Sequence, residues 1–94
     1  MIKSFSCKNT KELKKTSKSR KFDSRIVKRA IVKLDQLDAA QTIEDLRIPP
    51  SNHLEQLKGD EWKDFHSIRV TKQWRLCFKW VDGHAEEVII TDYH

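Results

Sequence analysis

The adjacent prolines Pro49-Pro50 separate two stretches of this chain that carry different apolar periodicities. Proline lacks a backbone N–H and its ring disfavours a helical residue before it, so a helix stops at such a pair. Before the prolines, apolar residues recur at helical spacing. After them, they alternate. Helical segments followed by strands, each with one apolar face, must bury those faces against one another, which predicts helices packed on a sheet.

In the first stretch, residues 2–5 read as a short strand. Asn9-Thr10 followed by Glu12 has the form of a helix N-cap with its capping-box acid, opening a basic helix to about Lys15. Residues 16–21 are a polar, basic connection, and Asp23 or Ser24 caps a stronger helix. Along that helix Val27, Ala30, Ile31, Leu34 and Leu37 share one face, while Arg25, Lys28, Arg29 and Lys33 fall on the opposite one. Residues 38–40 end it, and 43–47 make one further turn.

The second stretch predicts strands over 54–58, 65–71, 74–81 and 87–92. Gly59-Asp60 and Asp82-Gly83 provide turn chemistry, and Asp-Gly between apolar runs is a strong hairpin signal. Alternation places Trp74, Leu76, Phe78 and Trp80 on one face and Arg75, Cys77 and Lys79 on the other. Ile68 and Val70 likewise oppose Ser67 and Arg69. The expected fold is α+β, with two N-terminal helices packed on one face of a small, mainly antiparallel β-sheet. The other face, carrying Arg69, Arg75 and Lys79, is expected to be open to solvent. Residues 1–94 read as one domain, with no internal repeat or linker.

The net charge of +5 conceals an asymmetry. Residues 1–33 hold twelve Lys and Arg against Glu12 and Asp23, a net of +10, whereas residues 34–94 carry a net of −5. Such a basic half suits a polyanion, or an acidic protein that competes with one, as well as it suits a solvated surface. No apolar run approaches the roughly 20 residues of a spanning helix, and the opening residues lack the apolar stretch of a secretory signal. The expected location is cytoplasmic, with no membrane partner. Cys7 and Cys77 are far apart and form no CxxC, so they read as reduced, packed thiols. His53, His66 and His84 show no ligand spacing, so no metal and no cofactor is expected.

Cations, a tyrosine and a histidine gather on the strands and at the last residues: Leu57-Lys58-Gly59-Asp60, Ser67-Ile68-Arg69-Val70, Gln73-Trp74-Arg75-Leu76-Cys77-Phe78 and Asp92-Tyr93-His94. Cations beside proton donors suit a phosphodiester, because phosphate needs charge neutralised while its oxygens need protons moved. With Ile2-Lys3-Ser4-Phe5 and Leu46-Arg47-Ile48-Pro49-Pro50, these motifs resemble the HigB group of RelE/ParE-superfamily toxins, the plasmid-maintenance killer proteins. The resemblance spans nearly the whole chain in the expected order.

That resemblance implies a toxin of a type II toxin–antitoxin system, acting as a ribosome-dependent mRNA endonuclease in the A site. It implies a neighbouring HigA-like helix-turn-helix antitoxin as partner, beside the ribosome and mRNA, with operator DNA met only through the antitoxin. The implied catalytic residues are Lys58, Arg75, Tyr93 and His94, with Arg69 as a further phosphate contact. Glu55 stands where relatives often carry an active-site histidine. The loop 60–66 also departs from the pattern, with Glu61 in place of a basic residue and no following glycine. Lys79 joins Arg69 as an RNA contact on the sheet, and Arg25, Lys28, Arg29 and Lys33 form the expected ribosome-binding stripe. Tyr93 could stack on a base or supply a proton, and Trp62 is a second candidate for stacking. Two rivals remain: a ParE-like toxin that poisons DNA gyrase, and a nucleic-acid-binding regulator without catalysis.

Overall fold

The computed structural model describes residues 1–92. Helix α1 spans Lys8–Thr16 and α2 spans Ser24–Ala39. The cap of α1 is Cys7 rather than Asn9 or Thr10. Thr10 lies inside the helix, fully buried, where its Oγ1 accepts the Ile90 N–H at 3.1 Å and ties the helix to the sheet. Asp23 caps α2 as expected, its carboxylate accepting the N–H groups of Arg25 and Ile26. Such a cap stabilises a helix by about 1 kcal/mol.

Four strands follow, β1 at Glu55–Gln56, β2 at Phe65–Arg69, β3 at Arg75–Val81 and β4 at His84–Thr91. They lie in sequence order and every pair is antiparallel. The Asp82-Gly83 turn has both residues in the left-handed region, with φ of 50° and 82°. That is the conformation whose twist matches a two-residue hairpin. Strand β4 begins three residues before the alternation in 87–92 indicates. The register with β3 shifts between Cys77 and Lys79, and Glu87 adopts a φ of 52°, so a bulge interrupts the period of two.

The helix-covered face is the main core. Leu13 of α1 and Ala30, Leu34 and Leu37 of α2 meet Ile68, Leu76, Phe78 and Ile90, all essentially without solvent exposure. Trp74 and Trp80 pack at its margins, as the alternation predicts, and Phe22 meets Trp74 edge to face. The expected strand at 2–5 is reduced to two parallel bridges, Ile2 with Ala85 and Phe5 with Val88, along the outer edge of β4.

The opposite face departs from expectation. It is not open: Cys77 is fully buried, and with Leu57 and Phe65 it forms a second apolar cluster against Trp62 and Ile89. Gly59, at a φ of 99°, leads into a short turn at Asp60–Trp62 that brings Trp62 edge to face with Phe65. Trp62 is thereby half-buried in that cluster. Burial pushes the Cys77 thiol up to about 12, with the nearby Arg75 charge acting in the opposite direction.

Candidate active site

Arg75 opens β3 on this second face, and only 8% of it is exposed. Its direct cross-strand partner on β2 is Arg69, and Thr91 of β4 pairs on its other side. The guanidinium does not extend into solvent. Its Nε donates to Ser67 Oγ at 2.7 Å, and its Nη2 donates to the His53 carbonyl at 2.6 Å and to the Ser67 carbonyl at 3.4 Å. The Glu55 carboxylate lies 3.5 Å from Nη2. Glu55 is half-exposed where Arg75 is buried, so this pair joins the interior to the surface. A buried cation retained in water's absence must be paired and hydrogen-bonded, and this one is both.

Alternation places Arg75 on the correct face, but nothing local marks Ser67 and His53 as its partners. Ser67 is fully buried, two residues along β2 from Arg69 and opposite Cys77. Its signal in the sequence is only its position within Ser67-Ile68-Arg69-Val70. His53 contributes a backbone oxygen from a left-handed conformation.

Arg69 leads from this cluster into an open groove of about 750 Å³ between α2 and the end of β2. Lys28, Arg29 and Lys33 line the helix side, and Arg69 and Lys72 line the strand side, above Val32 and Val70. Among the described residues none of these five cations is ion-paired with an acid. The sequence reading gathered all but Lys72, which lies in the turn between β2 and β3, where no periodicity operates. Lys33 is not wholly free for a ligand, because its ammonium donates to Asn52 Oδ1. Burial and the neighbouring Arg29 hold its pKa below the usual lysine range. Arg25 is exposed on the same helix.

The remaining predicted residues are more scattered. Lys79 is engaged within the protein, 2.9 Å from the Glu87 carboxylate and above the Phe65 ring. The Glu87 interaction raises its pKa. Lys58 is exposed beyond β1, its side chain making no ion pair or hydrogen bond among the described residues. Tyr93 and His94 lie outside the described residues. Asp92, just before them, accepts from Gln73 Nε2 at 3.0 Å. Among the described residues no three of His, Cys, Asp and Glu converge as a metal site would require, and no helix is long and apolar enough to cross a membrane.

The family profile described as "RelE-like toxin of type II toxin-antitoxin system HigB" matches residues 3–94. The chain belongs to the HigB-like toxin family. It is similar to Toxin HigB-1 of Vibrio cholerae, at 60% identity over 53 residues. That match spans 56% of this chain and only 55% of the relative, little more than half its length. Similarity to Endoribonuclease HigB of Proteus vulgaris covers all of both chains at 33% identity. In fold, this HigB-like toxin is similar to a chain in the crystal structure of the heterotetrameric YoeB-YefM toxin–antitoxin complex from Staphylococcus aureus. That likeness covers the whole chain and 98% of the other, at a TM-score of 0.59 and 17% identity.

Proposed function

We propose that this HigB-like toxin, acting as one domain over residues 1–94, is a cytoplasmic endoribonuclease that cuts mRNA on the ribosome. The observation that carries the reading is the Arg75 cluster: a guanidinium fixed by Ser67 and His53 and paired with the half-exposed Glu55 carboxylate. A phosphodiester entering beside Glu55 meets a cation already oriented, which therefore costs little reorganisation when charge develops on phosphate. Full-length similarity to a protein named Endoribonuclease HigB supports the same chemistry.

The substrate's own 2′-hydroxyl attacks the adjacent phosphorus. The P–O5′ bond breaks, leaving a 2′,3′-cyclic phosphate and a 5′-hydroxyl. The nucleophile comes from the RNA, so the reaction calls for no metal and no cofactor. Arg75 stabilises the phosphorane-like charge, Lys58 supplies a mobile second cation, and Arg69 holds a neighbouring phosphate. Protons move through His94 with Tyr93 or Glu55. Imidazole suits this role because it exchanges protons near neutral pH without tuning.

The groove cations Lys28, Arg29 and Lys33, with Arg25 beside them, form the contact to ribosomal RNA, a sequence-independent and salt-sensitive interaction. Lys79, paired with Glu87, contributes to the local field more than to direct contact. A HigA-like helix-turn-helix antitoxin is the neutralising partner and carries the complex to operator DNA.

Mapping cleavage on a translated message with purified ribosomes tests the reading. Wild-type toxin should cut within the codon positioned in the A site, and Arg75→Ala should cut roughly a hundredfold to a thousandfold more slowly. An intact message beside inhibited DNA gyrase would replace this reading with the gyrase-poison one. An intact message with no enzyme inhibited would leave a binding protein.

A further inference from the structure

Arg75 owes part of its orientation to the corner of the chain at Pro50–His53. Asn52 is fully buried, yet its amide is fully occupied. Its Nδ2 donates to the carbonyl of Leu46 at 3.1 Å, to Gln36 Oε1 at 3.2 Å and to the carbonyl of Ile48 at 3.4 Å, while its Oδ1 accepts from Lys33. These bonds clamp the Pro50–Asn52 turn onto α2 from both sides. The next residue, His53, is turned into the left-handed region at φ 45° and ψ 57°, and its N–H donates back to the Pro50 carbonyl. A residue with a Cβ enters that region at a cost of about 1–2 kcal/mol and stays there only when its surroundings dictate it. The conformation has one directional consequence: the His53 carbonyl faces β3 and accepts from Arg75 Nη2 at 2.6 Å. The His53 side chain itself is exposed.

We propose that Asn52 is a positioning residue for Arg75, acting through the left-handed His53 carbonyl. The inference rests on the assignment of Arg75 to the scissile phosphate. The side-chain hydrogen bonds of Asn52 go to Lys33, Gln36, Leu46 and Ile48 rather than to Arg75. Asn52 fixes the acceptor that, with Ser67, determines which edge of the guanidinium faces the RNA. A displacement on the order of 1 Å in such a group costs about a hundredfold in rate.

The test uses the backbone preference of position 53. His53→Gly and His53→Ile both remove the imidazole, but glycine enters the left-handed region freely and a β-branched residue does not. With ribosome-bound message as substrate, kcat for His53→Ile should fall roughly tenfold to a hundredfold below that for His53→Gly, while KM for ribosomes stays equal between the two. In the toxin alone, the Arg75 Nε–H resonance should shift or broaden in His53→Ile and in Asn52→Ala, and should hold its position in His53→Gly. Adding Asn52→Ala to Arg75→Ala should produce no further loss of kcat, because the two act through one group. Equal kcat for the glycine and isoleucine variants, or an Arg75 resonance untouched by both Asn52→Ala and His53→Ile, would overturn the proposal. A native cleavage rate from Arg75→Ala with a disturbed resonance in Asn52→Ala would locate the failure in the assignment of Arg75 to phosphate. The resonance decides the positioning step even where activity is lost by other routes.

Discussion

The two faces of this sheet share the same strands and use them in opposite ways. Beneath the helices, Leu13, Leu34, Leu37, Leu76 and Phe78 are dry and contain no charged group. On the other face, the apolar cluster of Leu57, Phe65 and Cys77 is small, and along β3 it passes within two residues to a buried arginine. The first face supplies the free energy that holds the strands in register. The second uses that register to bring Ser67, Glu55 and Arg75 together at a stability cost it could not meet alone. A rigid apolar side thus supports a polar side whose geometry is demanding.

Truncation on each face separates these roles. Phe78→Ala removes a fully buried aromatic from the helix face and should cost about 3–5 kcal/mol, enough to unfold much of the population in a urea titration. Leu57→Ala, in the smaller cluster, should cost about 2 kcal/mol, at the low end of the range, since its surroundings border solvent and can collapse. Equal losses would mean that the outer cluster is as integral to the core as the inner one.

A third expectation uses His66, whose ring stacks on Phe78 and whose Nδ1 is buried without a partner. Burial holds its pKa below the ordinary value of 6.5. The unfolded chain therefore binds a proton first, so the stability contributed by neutral His66 is present above about pH 6.5 and is lost as pH falls toward the folded pKa. Melting temperature should drop across this interval in wild type and less in His66→Phe. Identical pH profiles would assign the loss to other groups. The smallest effect is chemical: with burial raising its pKa to about 12, native Cys77 should resist a thiol reagent that labels the half-buried Cys7. Labelling of Cys77 at the rate of Cys7 would show that the outer cluster opens readily.

The sequence makes legible what depends on near neighbours. Asp23 caps its own helix, Asp82-Gly83 closes its own hairpin, and the α2 stripe from Val27 to Leu37 declares its buried face without reference to distant residues. Alternation alone places Arg75 on the correct face. Its surroundings were hidden because they depend on the antiparallel register with β2 and on a left-handed residue that no local pattern announces at His53. The bulge at Glu87 also escaped, since it breaks the periodicity that locates a strand. The packing of the charged loop after Gly59 escapes for a related reason: its acids and lysine suggest solvent, while Trp62 within it packs against Leu57, Phe65 and Cys77. For the same reason Lys33, read as a free cation of the basic stripe, turns out to be shared with Asn52.

The bridges of Ile2 and Phe5 to β4 have a consequence for behaviour in a crowded solution. Strand β4 spans His84–Thr91 and its outer side would otherwise present a long row of unpaired amides and carbonyls, the template along which sheets of separate molecules join. The first residues occupy that row: Ala85 and Val88 exchange backbone hydrogen bonds with Met1, Lys3, Ser4 and Ser6. At the opposite border, β1 has only two residues, too short a template for another chain to extend. Both borders are thus closed to edge-to-edge aggregation, one by a covering segment and the other by brevity.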